Sequence, residues 1–214
     1  MAKRQKYLTP QGKLGWTQLV EPDTKFADDT DPNDKGVYKA MLRLPKEDPG
    51  TQEFLDGIRS VFDEFVAETE RRTGRRVKVH EEGLPFIDEE DRDTGEPTGN
   101  VLVRTKLKAR VSFKDTGKFF DQRPKAFDSA GKLIPEMPNI GPGSTVKIAG
   151  QINCWFTSKA GVTLWCEAVQ IIDLVESNFG GDTADSFGFS QMDGYQAEES
   201  EFEAEVGEET TGNF

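Results

Sequence analysis

Residues 100–114, "NVLVRTKLKARVSFK", alternate so regularly that they read as one strand with two unlike faces. Val101, Val103, Thr105, Leu107, Ala109, Val111 and Phe113 fall on one side; Leu102, Arg104, Lys106, Lys108, Arg110, Ser112 and Lys114 fall on the other. The first set is a core face. The second holds four consecutive cations, Arg104 to Arg110, with no acid between them. A solvated edge strand that uses lysines to avoid aggregation is the plain alternative.

Downstream, residues 115–138 interleave Phe119, Phe120 and Phe127 with Lys118, Arg123 and Lys125. Residues 141–175 then give two long strands around a short turn at Ser158 to Gly161. One alternation carries Val146, Ile148, Ile152, Cys154 and Phe156, which leaves Lys147, Gln151, Asn153 and Trp155 together on the other side. In the returning strand Trp165 and Glu167 oppose Leu164 and Cys166. Rings interleaved with cations on a sheet suit a single-stranded nucleic acid, in which phosphates need charge and unstacked bases need flat partners. The alternative is a sheet buried on both faces, where the same aromatics would be core.

Upstream, "KLGWTQLV" (13–20) and "VYKAMLRLP" (37–45) read as two strands joined by an Asp- and Pro-rich connection. That connection lacks the carboxylate a calcium loop needs at its twelfth position, which is Leu42. Residues 48–74 predict one long helix: Asp48 as N-cap, Pro49 in the first turn, apolar residues at helical spacing, and Gly74 as C-cap. Residues 80–100 hold the only histidine, His80, and acids from Asp88 to Asp93, and read as a mobile solvated loop. No catalytic constellation stands out, because a single histidine has no nucleophile beside it in sequence. A metal-dependent nuclease built on the Asp88–Asp93 cluster is the enzymatic alternative.

Charge is divided along the chain. Residues 101–160 carry eleven bases against four acids, whereas residues 181–214 carry ten acids and no base. The formal net charge of -12 is therefore mostly a property of the last segment. We expect a folded domain over residues 1–180 and a disordered acidic tail over 181–214, since a segment so charged cannot repay its folding entropy. No secretory signal, membrane span, cofactor or metal site is expected, and two cysteines, Cys154 and Cys166, make no disulfide framework. Five or so strands, one helix and a basic aromatic surface predict a mainly β fold. Its expected form is an OB-type five-stranded Greek-key barrel with one long helix after the second strand.

Residues 126–175 and 15–45, with Gly-Ser-Thr-Val-Lys at 143–147, Ala-Gly-Val at 160–162, Ala-Val-Gln at 168–170 and an acidic end closing on Phe214, resemble the single-stranded-DNA-binding proteins of tailed bacteriophages. The resemblance is to the branch whose barrel carries a helix after the second strand. It implies a non-enzymatic, sequence-independent DNA-coating protein acting in phage replication, recombination and repair, in the cytoplasm of the infected bacterium. On that basis Arg104, Lys106, Lys108, Arg110, Lys118 and Lys147 are expected on phosphates, and Trp155, Trp165, Phe119 and Phe120 on bases. The resemblance further implies that the tail competes with DNA and that Phe214, with Glu208 and Glu209, docks a phage or host polymerase, helicase or primase; a homodimer is also open. The acids stop at Glu209, and Phe187, Phe189, Tyr195 and Phe202 share the tail. An acidic DNA-mimic or adaptor that binds replication proteins without binding DNA is the alternative.

Overall fold

The computed structural model describes residues 5–28, 30–31, 34–112 and 117–176. The expectations for the tail, with Phe214, Glu208 and Glu209, lie outside the described residues, as do Phe113 and Lys114. In chain order the elements are β1 (Gln5–Leu8), β2 (Gly12–Asp23), β3 (Val37–Pro45), α1 (Pro49–Thr73), β4 (Phe86–Glu90), β5 (Pro97–Lys108), β6 (Arg110–Ser112), β7 (Phe119–Asp121), β8 (Lys125–Phe127), β9 (Leu133–Ile134), β10 (Thr145–Phe156) and β11 (Ala160–Asp173).

Five of these strands close on themselves in the order β10-β2-β3-β5-β11, with β11 returning to β10. Four of the five pairings are antiparallel, and β5–β11 is parallel. That arrangement is the OB barrel, which removes exposed edges by closure. Its helix leaves after β3, the second barrel strand, as the sequence predicts. Strand β1 adds to the outside of β10, and β4 adds to β5.

The core follows from alternation. Leu14, Leu42, Val101, Val103, Ile148 and Leu164 point inward with essentially no exposed surface. Burying such a side chain stabilises the fold by about 1.5–3 kcal/mol each. Helix α1 adds Leu55, Ile58 and Phe62 to the same cluster. Both of its ends form as the sequence predicts. The Asp48 carboxylate accepts from the Thr51 backbone N–H at 3.0 Å, and Gly74 takes φ 66 while its N–H donates to the Glu70 carbonyl. Only glycine adopts that left-handed cap without strain.

Two local expectations need correction. The acid-rich segment is not a free loop: Phe86–Glu90 pairs antiparallel with β5, and Arg43 forks onto the Glu89 carboxylate while Lys46 reaches Asp88 at 2.6 Å. These cations come from β3 and its C-terminal end, so no local pattern announces them. The long basic strand also breaks at Ala109, after which Arg110–Ser112 pairs with β7 in a separate two-stranded sheet.

Candidate nucleic-acid interface

The outer face of β3, β5 and β11 brings cations and rings together by register alone. Lys39 lies opposite Lys106, Met41 opposite Arg104, and Trp165 beside Lys106 on the other side. Desolvation depresses the Lys106 pKa, and the positive charges of Lys108, Lys39 and Arg104 depress it further. A cation crowded by cations gains most when an anion arrives, which is the electrostatic signature of a polyanion site.

Next to this ridge lies a cleft of about 280 Å³ walled by Trp16 and Trp155 and edged by Lys39, Arg104, Lys106 and Glu82. Trp155 is fixed on three sides. Its ring lies over Gly161, its partner across the β10–β11 hairpin, and a Cβ at Gly161 would collide with the indole. Its Nε1–H donates to Thr163 Oγ1 at 3.2 Å, and the His80 ring meets it edge-on at 6.1 Å. Such a clamped indole offers its remaining face at little entropic cost.

Trp16 reaches the cleft through a β-bulge. Leu14 pairs with Leu42 and Thr17 with Ala40, so β2 carries one extra residue between them. Simple alternation from buried Leu14 would send Trp16 into the core; the bulge turns it outward, where it is 52% exposed. Phe26, on the β2–β3 loop, is 81% exposed, with the Lys25 and Lys39 ammonium groups 5.6 and 5.7 Å from its ring centre.

The residues singled out from the sequence divide into three groups. Arg104, Lys106 and Trp155 meet at the cleft, and Lys108 and Trp165 continue the same face; Trp165 also packs on the small cluster of Tyr38, Leu107 and Ala109. Arg110, Lys118, Phe119 and Phe120 belong to the β6–β7 region. There Arg110 stacks 4.1 Å over the Phe119 ring and forks onto the Asp121 carboxylate, which lowers the Asp121 pKa. Phe119 and Phe120 are more than half exposed. Lys147 stands apart, eight residues along β10 from Trp155 or roughly 26 Å at strand rise. Trp16, Lys39, Glu82 and Phe26 escaped the sequence analysis. The alternation of 37–45 already places Lys39 outward, whereas Trp16 depends on the bulge and Glu82 on the folding of the 80–84 loop against β11.

Among the described residues, no three His, Cys, Asp or Glu side chains are placed to hold a metal. Asp91 folds into its own turn, accepting from the Asp93 and Thr94 backbone N–H groups. Cys154 and Cys166 are free and lie opposite different residues, Val162 and Gly150. Burial pushes their thiols up to about 11 and about 12, so both stay protonated and unreactive. Among the described residues, no helix is long and apolar enough to cross a membrane.

Comparison with known proteins gives a consistent result. A family model described as the single-stranded DNA-binding protein of bacteriophage T7 matches residues 13–174. The chain is 28% identical over 195 residues to the single-stranded DNA-binding protein of Escherichia phage T7, covering 85% of this chain and 80% of that one. It is 30% identical over 199 residues to the protein of the same description from Enterobacteria phage T3, covering 86% and 82%. Among solved structures, the T7 protein gp2.5 superposes with a TM-score of 0.62 at 24% identity, covering 92% of this chain and all of that one. The single-stranded DNA-binding protein of bacteriophage Enc34, solved in complex with single-stranded DNA, gives a TM-score of 0.52 at 15% identity, covering 82% and 89%. Both structural likenesses concern the fold.

Proposed function

The chain belongs to the bacteriophage T7 single-stranded DNA-binding protein family, and from that premise we propose that it binds single-stranded DNA along the outer face of β3, β5 and β11. The family is non-enzymatic. The observation that carries this reading is Lys106, set among Lys39, Lys108 and Arg104 and next to a cleft walled by Trp16 and Trp155. Phosphates follow the cations while bases lie on the rings. Duplex DNA meets the same charge but keeps its bases stacked, so a single strand gains more. Phe119 and Phe120, with Lys118, extend the track, and Arg110 contributes less because Asp121 already holds it.

The protein acts in phage DNA replication, recombination and repair in the cytoplasm of the infected host. Its acidic segment 181–214, with ten acids and no base, competes with DNA for the cationic face and recruits replication proteins such as a polymerase, helicase or primase. Anisotropy titrations of labelled oligo-dT and of a duplex of equal length, across a salt series, test the first claim. Single-strand preference with a negative salt slope is expected; equal affinity for the duplex would refute a stacking site. Charge-neutralising the ten acids should tighten binding at low salt, and unchanged affinity would refute competition by the tail.

A further inference from the structure

Glu82 is the one acid lining the Trp16–Trp155 cleft among the described residues. Its position is odd for a site built to attract phosphates. The Arg104 guanidinium donates to Glu82 Oε2 at 3.0 Å, so this pair presents a donor and an acceptor side by side at the rim. The Glu82 side chain is 69% exposed. A carboxylate has about four acceptor positions, so one bond to arginine leaves it able to accept more.

The pair is shaped for a base edge. Lys106 and Lys108, with Lys39 held beside them on the Asp23 carboxylate, supply cations for the backbone, and a carboxylate at the rim repels phosphate. The cleft itself, near the lower end of the roughly 300–1,000 Å³ range of small-ligand sites, suits one planar ring better than a chain of nucleotides. Of the four bases, only guanine offers two adjacent N–H donors on its Watson–Crick edge, with an acceptor oxygen beside them. Two donors match the Glu82 carboxylate, and the oxygen matches Arg104. Adenine, thymine and cytosine each carry only one donor group on that edge.

We propose that this cleft selects an unpaired guanine, with Glu82 as the specificity-determining residue and Arg104 as its partner on the base edge. The proposal rests on the single-stranded DNA reading and adds to it a hydrogen-bonded base preference at one position of an otherwise sequence-tolerant track.

Anisotropy titrations of the full chain with d(TTTG)4, d(TTTI)4, d(TTTA)4 and dT16 test it. Guanine and adenine stack alike, so their ratio isolates the edge, and inosine removes only the second donor. The wild type is expected to bind d(TTTG)4 about fivefold or more tighter than d(TTTA)4, with d(TTTI)4 between them. In Glu82→Gln that ratio is expected to fall below about twofold. Equal affinities for all four oligonucleotides in the wild type would overturn the selection while leaving the single-strand reading standing. A guanine preference that survives Glu82→Gln would overturn the role of Glu82, and one that inosine retains in full would overturn the two-donor match to its carboxylate. No binding to any of the four would overturn both readings.

Discussion

The Trp155 indole lies flat over Gly161, its cross-strand partner, in a gap that any side chain on residue 161 would fill. Glycine is required here by a neighbour and not by backbone conformation, since its φ is not positive. Adding a methyl group must push the ring off its seat and break its bond to Thr163. Gly161→Ala is therefore expected to weaken oligo-dT binding nearly as much as Trp155→Ala, by about 1–3 kcal/mol for one stacking platform. Anisotropy checks this, with thermal unfolding to show that both variants remain folded. Wild-type affinity in Gly161→Ala would mean that the seated ring is not what DNA meets.

Trp16 separates binding from stability. Half exposed and outside the core cluster, it contributes little to folding, so Trp16→Ala is expected to shift stability by no more than about 0.5 kcal/mol. The same change should cost about 1–3 kcal/mol in binding. Urea unfolding and oligo-dT titration on one preparation test both halves. A large loss of stability with unchanged binding would return Trp16 to a packing role.

Lys106 gives the site a pH signature. Its pKa in the free protein lies below the usual lysine value, and a bound phosphate raises it again. Between those two values the complex holds a proton that the free protein has lost. Affinity is therefore full below the free-protein pKa and falls as pH rises through it. Titrations at pH values rising from neutrality towards the ordinary lysine pKa are expected to show this decline in the wild type. Lys106→Arg, always charged, should flatten it. Lys106→Ala should also reduce the magnitude of the salt slope by about 0.7. A decline that persists unchanged in Lys106→Arg would assign the titration elsewhere.

Arg110 and Asp121 test whether ion pairing silences a cation. Arg110 follows Lys106 in the alternation of the sequence, yet in β6 it is forked onto a carboxylate and stacked on Phe119. Arg110→Ala is expected to weaken binding less than Lys106→Ala, whereas Asp121→Asn should strengthen it by roughly twofold at low salt. Equal losses from the two cation deletions would show that DNA displaces Asp121 at no cost.

Much of this was legible in the sequence because strand alternation is local. The two faces of residues 100–108 and the orientation of Trp155 and Trp165 follow from a period of two, and the helix ends follow from Asp48, Pro49 and Gly74. What escaped depends on distant partners. Trp16 faces outward only because β2 carries one more residue than β3 opposite it, and a bulge leaves no mark in composition. The 86–90 strand looks like a charged loop until Arg43 and Lys46 arrive to balance its acids. Arg104 and Arg110 read as free cations because their acids, Glu82 and Asp121, lie in other segments.

The central claim, that bases enter the cleft between Trp16 and Trp155, is tested most directly by photocrosslinking. Full-length protein would be irradiated with an oligonucleotide carrying 5-iododeoxyuridine in place of thymidine, and the adducts mapped by mass spectrometry. Adducts on Trp16 or Trp155 are expected, with Trp165 or Phe119 next. Adducts confined to α1 or to the outer side of β1, with none on either cleft tryptophan, would contradict the claim.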